Sequence, residues 1–540
     1  MTAPIAVPQA PDPMIAALAS DIGPLICTGA PDGMDAQAFS AALLLRGGLG
    51  MFVARDATRC ANFEAAVRFF APALPILRLP AWDNLPYDRI SPSGAVAAER
   101  CAALAALARR QAEDRSPLLV LSTVAAVAQR VPLRTRLAAG SFEAIAGMEV
   151  EEGDLERYLV INGYGRASTV RAPGDYAVRG GVTDIFPPGA NEALRFDFFG
   201  DKLESIRSFD PETQRSTGNV ARAQLMPVSE VLFDDEAVSR FRKRYIEVFG
   251  TGADANYDAV TARIRRSGLE QWLAFFYERL ETVFDYLGPS ALIGLDALAD
   301  DAAKERHAQA LEHFASRRAA PSSRQTPGGF RAPAPELLYL DGPAWAASLE
   351  ARPVRRFSPM PEAIGPNVLN LHGRAGRSFS AERATYEVNV FEAASAHVGA
   401  LIQSGRKVLI AAWTEGSAER LSGVLEDHGL GKPVFVRDWP EALAAGKGQA
   451  ILCVLPLEQG FETEAFTILA EQDILGERLA RPRKRRRAAN LIAEAAALSP
   501  GDLIVHSEHG IARYAGLKTI DVGDAPHDCL DLEYAGGDKL

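Results

Sequence analysis

Apolar and polar positions follow one rhythm over roughly the first 130 residues. Short, mainly apolar runs occur at residues 24–29, 48–54, 76–80 and 116–123, and alanine-rich stretches of helical character lie between them. Such runs are typical of strands that are buried on both faces of a parallel sheet and covered by helices. The pattern therefore predicts an open, mostly parallel α/β sheet in this part of the chain.

A different rhythm, in which alternate positions are apolar, begins near residue 153. It is clearest at residues 175–187 and 194–210, where Gly200-Asp201 separates two alternating runs as a tight hairpin turn does. The pattern predicts a small α+β module inserted into the sheet domain. We interpret Gly180-Gly181 as a bulge or a close backbone approach in a strand. A phosphate cradle is not implied, because no helix N-terminus follows.

Helical and α/β patterns return after this module. Residues 230–316 have apolar faces at helical spacing, and residues 316–335 are rich in Pro, Ser, Arg and Gly, which indicates an exposed loop. A second α/β pattern follows. From residue 502 a β pattern marked by glycine and tyrosine runs to Leu540, and because it stops in mid-pattern we expect the chain to be truncated there.

Composition narrows the class of protein. With 540 residues, of which 48% are hydrophobic and 24% charged, the chain is expected to form about three to five globular domains. It has no run of about 18 apolar residues and no signal-peptide pattern, so we expect a cytoplasmic protein. The cysteines are odd in number, widely spaced and never in a CxxC pair, which argues against structural zinc.

Three stretches carry a resemblance to a known family. They are LPAWDNLPYDRISPS at residues 79–93, the pair YAVRGGVTDIFPPG and LRFDFFGDKLESIRSFDPETQRS within residues 176–216, and GDLIVHSEHGIARYAGLKTIDVG with CLDLEYAGGDKL at residues 501–540. They cover both ends and the middle of the chain. The chain resembles the amino-terminal, non-motor part of the bacterial transcription-repair coupling factors, which is itself similar to the excision-repair protein UvrB.

The resemblance implies a multi-domain α/β architecture. A degenerate, P-loop-derived UvrB-like parallel sheet comes first, interrupted by the inserted α+β module and followed by a second α/β domain and a partial, CarD-like β-barrel. The expected boundaries are residues 1–130 for the sheet domain, 131–228 for the UvrA-binding insert, 229–335 for the rest of the UvrB-like domain, 336–478 for the second α/β domain, 479–499 for a basic linker helix and 500–540 for the RNA-polymerase-interacting barrel.

Two features separate the chain from UvrB. A nucleotide-binding P-loop has the form GxxxxGK[ST], but the turn in the matching place reads CTGAPDGMDAQAFS, and the first lysine of the chain is Lys202. Asp35 stands about where the P-loop lysine would be, and its charge would repel a phosphate. The segment from Tyr87 to the turn at Ser91 is too short for the damage-clamping β-hairpin of UvrB. We therefore expect no ATPase site, no catalytic residue and no cofactor here, and the resemblance assigns ATP and Mg²⁺ to the motor domains of the full-length proteins.

The resemblance also implies a surface for UvrA on the inserted module. Arg166, Arg171 and Arg179, with Phe186 beside them, match the basic and aromatic composition of interface anchors. Arginine suits this role because its planar guanidinium pairs bidentately with the carboxylates of a partner. The alternative for each arginine is a solvated charge on a strand, and the alternative for Phe186 is a place in the core.

A contact to the RNA polymerase β subunit is expected on the last module. The resemblance points to Arg513, Tyr514, Leu517, Lys518 and Ile520, where an exposed strand could pair edge to edge with the partner. The alternative for Tyr514 and Leu517 is a place in the barrel core.

Residues 481–487 form a basic run that is a candidate contact to DNA. The net charge of −11 restricts any nucleic-acid contact to such a local patch, and the candidates are Arg483, Lys484, Arg485 and Arg486. We favour the alternative, a solvated connector between the second α/β domain and the barrel. The resemblance assigns double-stranded DNA mainly to the motor, and we expect no membrane and no metal site.

Two other classes of function remain open from the sequence. One is a nucleotide-dependent helicase or UvrB-type enzyme, for which residues 466–478 look superficially like a Walker B strand; without a lysine loop we interpret them as a vestigial sheet strand. The other is a stand-alone regulator that binds UvrA or polymerase. We favour an adaptor of transcription-coupled nucleotide excision repair.

Overall fold

The computed structural model describes residues 12–476 and 501–534, apart from 151, 252–253, 320–330, 351, 364, 386–387, 447, 507–509 and 523–524. The chain divides into two compact units, Met1–Gly476 and Glu477–Leu540, and each is described by itself. Within the described residues, the helices are all too short or too polar to cross a membrane.

The strands and helices are numbered in chain order. The strands are β1 (Leu25–Thr28), β2 (Leu49–Ala54), β3 (Ile76–Leu79), β4 (Leu118–Thr123), β5 (Phe142–Ile145), β6 (Gly165–Arg166), β7 (Asp175–Arg179), β8 (Val182–Ile185), β9 (Ala193–Phe199), β10 (Lys202–Phe209), β11 (Ser216–Val220), β12 (Arg222–Leu225), β13 (Leu292–Leu295), β14 (Val354–Phe357), β15 (Val368–Asn370), β16 (Arg374–Ala375), β17 (Lys407–Ala412), β18 (Val434–Val436), β19 (Ile451–Val454), β20 (Phe461–Glu462), β21 (Phe466–Ala470), β22 (Leu503–His506), β23 (Gly510–Val522) and β24 (Ala525–Tyr534). The helices are α1 (Pro13–Ala19), α2 (Met34–Arg46), α3 (Ala57–Phe70), α4 (Gly94–Arg109), α5 (Val124–Val127), α6 (Arg134–Ala139), α7 (Glu152–Ile161), α8 (Asp235–Phe249), α9 (Ala255–Thr261), α10 (Leu273–Phe276), α11 (Val283–Leu287), α12 (Ala299–Ala319), α13 (Gly342–Glu350), α14 (Ser380–Ala384), α15 (Val390–Gln403), α16 (Glu415–Asp427), α17 (Trp439–Ala444) and α18 (Glu471–Leu475), with 3-10 turns at Leu269–Trp272 and Pro335–Leu337.

The first sheet has seven parallel strands in the order β15-β1-β14-β13-β2-β4-β3. The strands β13, β2 and β4 are mainly apolar and mostly buried, and every residue of β13 is buried. Residues of α2 and α3 contribute to the core on one face, and residues of α4, α11 and α12 to the core on the other. The parallel α/β sheet predicted from the apolar runs is confirmed.

This sheet extends along the chain beyond the expected boundary at residue 335. β14 lies between β1 and β13, and β15 forms the edge beside β1. The sequence of β14 hides its central place because it contains two arginines. One of them, Arg355, is fully buried, and its guanidinium donates hydrogen bonds to the carbonyl oxygens of Leu18, Ser20 and Ile22. A buried charge whose hydrogen bonds are satisfied in this way is tolerated in a core. Because β14 and β15 both belong to the first sheet, the boundary between the two sheet domains does not lie at residue 335.

The inserted module is a six-stranded sheet in the order β11-β10-β9-β8-β7-β6, next in sequence to a two-stranded β5–β12 ribbon. All its pairs are antiparallel except β6–β7. Alternate residues, among them Tyr176, Phe196 and Ile206, form a core with α7. The predicted hairpin joins β9 to β10, with Gly200 at a φ of +60°. The expected α+β module is confirmed.

Helices α8 to α10 gather around an aromatic core that includes Phe241, Tyr245 and Trp272. Tyr87 packs into the same core from the segment between β3 and α4, with a φ of 59°. Residues 80–93 of that segment, all of which the structure describes, contain turns and bends but no strand. A UvrB-type β-hairpin is therefore not formed at this place.

The second α/β domain has a sheet in the order β16-β20-β21-β17-β19-β18, in which the pairs from β21 to β18 are parallel. The second unit consists, in its described residues, of the antiparallel sheet β22-β23-β24. The predicted second α/β domain is thus present, and the closure of the last module into a barrel stays a prediction.

Candidate partner-binding surface and vestigial phosphate loop

The loop between β1 and α2 lies where the resemblance to UvrB would place a P-loop. Asp35, in the first turn of α2, accepts hydrogen bonds from the backbone N–H groups of Gly33 at 3.0 Å and Ala36 at 2.8 Å. Free N–H groups at a helix N-terminus are the groups that bind phosphate in nucleotide-binding loops. Here a carboxylate of the chain itself accepts those hydrogen bonds.

The charge of Asp35 is balanced inside the protein by Arg59 of α3. The Arg59 side chain is 2% exposed; it pairs with Asp35, donates from Nε to Asp296 at 2.8 Å, and lies 3.3 Å from Asp32. Burial raises the pKa of Asp35 to about 7, and the guanidinium of Arg59 acts against that rise. The arginine beside this loop, the cation that a nucleotide phosphate would need, is therefore already paired with acids of the chain.

Neighbouring segments close this loop from outside. A methyl group added at Gly33 would lie 2.8 Å from the Leu457 side chain, and one at Gly29 would lie 3.0 Å from the carbonyl oxygen of Gly373. The loop thus contacts both the segment that follows β15 and the second α/β domain.

The acidic segment after β21 also uses its carboxylates on the backbone. Asp473 accepts hydrogen bonds from the N–H groups of Gly460 and Ala470, both at 2.8 Å. Glu471 accepts one from the N–H of Trp413 at 3.1 Å. These contacts fit our interpretation of the segment as a structural strand and its continuation.

The inserted sheet has one apolar and one polar face. The cross-strand register places Thr183, Phe196 and Ile206 opposite one another on the core face, so their sequence neighbours point away from it. We call the other side the outer face of the insert, defined by Arg179, Asp184, Arg195, Asp197, Ser205 and Arg207.

Two bidentate ion pairs order this outer face. Arg195 donates to Asp184 at 2.7 and 2.9 Å, and Arg207 donates to Asp197 at 3.0 and 2.9 Å. Ser205 adds a hydrogen bond to Asp197 at 2.6 Å. Burial acts to raise the pKa of Asp197, but these hydrogen bonds outweigh burial and the pKa lies below its ordinary value. The outer face is therefore a preformed array of fixed charges, suited to a polar protein interface.

The three arginines predicted to contact UvrA, Arg166, Arg171 and Arg179, are all exposed on the insert. Arg179 ends β7 on the outer face, and its guanidinium donates to the carbonyl oxygen of Ser168. Arg166 lies on the edge strand β6 and pairs with Glu156 at 3.2 Å. Because exposed ion pairs are weak, these arginines can exchange their contacts for those of a partner.

Phe186 lies in the core. Its side chain is 7% exposed and packs with Val170, Ala193 and Phe209. This position does not fit the expected role of Phe186 as an exposed anchor. At this end of the sheet the side chain has the parity of the outer face, but the segment around Val170 folds over it and removes it from water.

An exposed aromatic residue that the sequence analysis did not select lies at the opposite end of the same face. Phe199 is 76% exposed and has the same strand parity as Arg195 and Asp197. That parity is the signal that could have identified it, because Phe198 beside it packs against the core. Strand parity could likewise have identified the ion pair of Asp197 and Arg207 on the outer face.

In the second unit, the structure places the expected polymerase contacts on one strand. Arg513, Leu517, Lys518 and Ile520 all belong to β23, which pairs with β24 along its length. The Arg513 side chain is exposed and donates to the carbonyl oxygen of Gly501 at 2.8 Å. β22 pairs with β23 only over residues 510–513, so among the described residues the β22 side of β23 has no strand partner beyond that point.

Tyr514 is buried with Ala512 and Leu532, as its alternative core reading expected. Residues 481–487, and with them Arg483, Lys484, Arg485 and Arg486, lie outside the described residues, so their contact to DNA stays a prediction. In the part of the chain that the structure describes, no group of three or more His, Cys, Asp and Glu side chains could hold a metal ion.

Three known domain families match the chain, in an order that follows its folded modules. The UvrB interaction domain matches residues 143–231, which contain the inserted sheet and its outer face. The MFD D3 domain matches residues 401–474 of the second α/β domain. The CarD-like/TRCF RID domain matches residues 498–540, which include β22 to β24.

Curated proteins named transcription-repair-coupling factor are similar to most of the chain. The protein of Myxococcus xanthus is 31% identical over 501 residues, 86% of this chain and 40% of the relative. That of Haemophilus influenzae is 29% identical over 94% of this chain and 43% of the relative, and that of Escherichia coli is 28% identical over 86% and 40%. The chain thus spans about two fifths of the length of these relatives.

Proposed function

The chain belongs to the transcription-repair-coupling-factor family, and from this premise we propose that it acts as an adaptor that links RNA polymerase to nucleotide excision repair. In this proposal the inserted module binds UvrA and the last module binds the polymerase β subunit. The observation that carries it is the outer face of the insert, a preordered polar surface within the match to the UvrB interaction domain.

The contribution of the insert is the recruitment of UvrA. Its exposed arginines can pair with carboxylates of the partner, and its ion pairs hold the surrounding charges in place before binding, so little side-chain order is lost on association. Arg179 is the central candidate because it is exposed and ends β7 on the outer face.

The contribution of the second unit is the contact to polymerase. β23 offers backbone donors and acceptors beyond its pairing with β22, which suits edge-to-edge pairing with a strand of the partner. Lys518 and Ile520 lie on this part of the strand. The module match to the CarD-like/TRCF RID domain supports polymerase as that partner.

We further propose that this chain is not itself an enzyme, and that ATP hydrolysis and DNA translocation belong to the motor part of the full-length family proteins. The Asp35–Arg59 cluster supports this, because it uses the backbone donors and the cation that a phosphate would require. The same cluster argues against a helicase or UvrB-type enzyme.

Capture of purified UvrA on the immobilised chain tests the proposal. The arms are the wild-type chain, Arg179→Glu, and the matched control Arg437→Glu, whose arginine is exposed on another domain and pairs with Glu441. ATP binding is measured on the same samples. We expect the wild type and the control to capture UvrA without binding ATP, and Arg179→Glu to lose at least about tenfold in affinity, because it sets a like charge against carboxylates of the partner.

Either of two results would contradict the adaptor. Absence of UvrA capture by the wild type would remove its recruitment role. Stoichiometric ATP binding by the wild type would restore the nucleotide-dependent enzyme as the better assignment.

A further inference from the structure

Phe199 stands out on the outer face of the insert. At 76% exposure it is the most exposed of the large apolar side chains that the structure describes. It ends β9, and the phenylalanine before it, Phe198, contributes instead to the core of the sheet. One exposed apolar side chain is not by itself a contact site, so Phe199 is a candidate only together with the ordered backbone and the polar groups beside it.

The exposure of Phe199 is built into an ordered backbone. Phe199 pairs with Lys202 across the hairpin, and the Phe198 N–H donates to the Gly181 carbonyl oxygen at 2.7 Å. On the other side, the Val150 N–H donates to the Asp201 carbonyl oxygen at 2.7 Å. The hairpin is thus held from both sides, and Phe199 points outward without being part of a free loop.

Polar groups of fixed geometry surround this end of the face. Arg179 pairs across the sheet with Val182, and Val182 pairs with Asp197, so the arginine and the end of β9 lie at the same end of the sheet. Asp197 is already saturated by Arg207 and Ser205. An aromatic side chain bordered by satisfied polar groups has the anatomy of an interface hot spot.

We propose that Phe199 is the apolar anchor of the UvrA contact, and that it inserts into an apolar pocket of UvrA while Arg179 pairs with an acidic group beside that pocket. This inference rests on the proposed function. The occupant is UvrA because Phe199, Arg179 and the ion pairs all lie inside the stretch that matches the UvrB interaction domain. Arg179 beside Phe199 would be complementary in charge to an acidic group at the edge of the pocket in UvrA.

The test measures UvrA affinity by titration for Phe199→Ala, Phe199→Leu and the matched control Phe435→Ala. Phe435 is 48% exposed on the edge strand β18 of the second α/β domain. We expect Phe199→Ala to weaken binding at least about tenfold, in the range of hot-spot truncations. Phe199→Leu should keep part of the affinity because it restores apolar volume, and Phe435→Ala should bind as the wild type does.

Thermal unfolding of the variants separates contact from folding. Because Phe199 is mostly in water, Phe199→Ala should melt within about 2 °C of the wild type, as exposed substitutions do. If Phe199→Ala binds UvrA normally while Arg179→Glu does not, the anchor is refuted and the proposed function stands. If the wild type fails to bind UvrA, the proposed function fails. If Phe199→Ala abolishes self-association of the chain instead, the surface is a contact between copies and the anchor role is overturned.

Discussion

The side chain of Asp35 makes its contacts within the chain, at the loop between β1 and α2 where the resemblance to UvrB would place a P-loop. Its carboxylate accepts the N–H hydrogen bonds at the start of α2. Arg59 forms ion pairs with both Asp35 and Asp296. The sequence predicted only that Asp35 would repel a phosphate. The structure adds that the residue is buried and paired, so its ion pair with Arg59 also connects α2, α3 and the end of β13.

Removal of Arg59 tests the strength of this cluster. Arg59→Leu leaves the buried Asp35 without its cation and Asp296 with Arg55 alone, and we expect it to destabilise the chain by about 3–5 kcal/mol. Arg68→Leu on the same helix removes an exposed arginine from Glu64, which keeps its ion pair with Arg78, and should cost less than about 1 kcal/mol. Urea unfolding followed by circular dichroism compares the two. Equal losses would mean that the buried cluster does not stabilise this domain.

Phe186 and Phe199 separate what residue type and residue position determine. Both are phenylalanines of the same module, and both have the parity of the outer face. The residues next to Phe186 in sequence favoured it as an interface anchor, but the segment around Val170 covers its side chain. Phe199 has no such cover, since the hairpin ends immediately after it.

At the scale of elements, glycines decide how closely the strands of the insert approach. Gly180 has a φ of +62°, and a methyl group added at Gly181 would lie 2.8 Å from the Phe198 carbonyl oxygen. The sequence predicted a bulge or a close backbone approach at this pair, and the close approach is confirmed. It places the β7–β8 turn beside the end of β9, and thus Arg179 near Phe199.

Gly181→Ala tests that approach. The added methyl group would push β9 away from the turn, and we expect a loss of about 1–3 kcal/mol in stability together with weaker UvrA binding. Gly165→Ala is the control, because its added methyl group would meet nothing within 4 Å. Thermal unfolding and UvrA titration provide the two readouts. An unchanged melting temperature for Gly181→Ala would show that the strands can separate at little cost.

At the scale of the whole molecule, the chain contains two compact units that carry different candidate contacts. The candidates for UvrA lie in the insert of the first unit, and those for polymerase lie on β23 of the second. An adaptor requires that each contact can form without the other site being altered. The separation of the two surfaces into two units meets that requirement.

Paired charge reversals test this independence. Arg179→Glu should reduce UvrA binding and leave binding of the polymerase β subunit within about twofold of the wild type, because the two candidate contacts belong to different compact units and share no residue. Ile520→Glu should do the reverse. Both affinities are measured for both variants by biolayer interferometry. A variant that loses both partners would show that the two contacts depend on one another or that the fold is lost.

The sequence by itself determined the types of element and the class of fold, because strand burial and helix periodicity leave local patterns. The apolar runs of β1, β2 and β4, the alternation of β9 and β10, and the hairpin at Gly200 are all visible in the order of residues. The sequence also excluded a P-loop, because the P-loop pattern requires a lysine that is missing from the matching turn.

Only the tertiary structure decided which strands share a sheet and which side chains reach water. β14 enters the centre of the first sheet although it contains Arg355, because carbonyl oxygens far away in sequence satisfy that charge. Phe186 is buried because the segment around Val170 folds over it, whereas Phe199 has no such cover and is exposed. Their neighbours in sequence do not decide this difference. Burial is a property of contacts between distant segments, and a local pattern does not contain it.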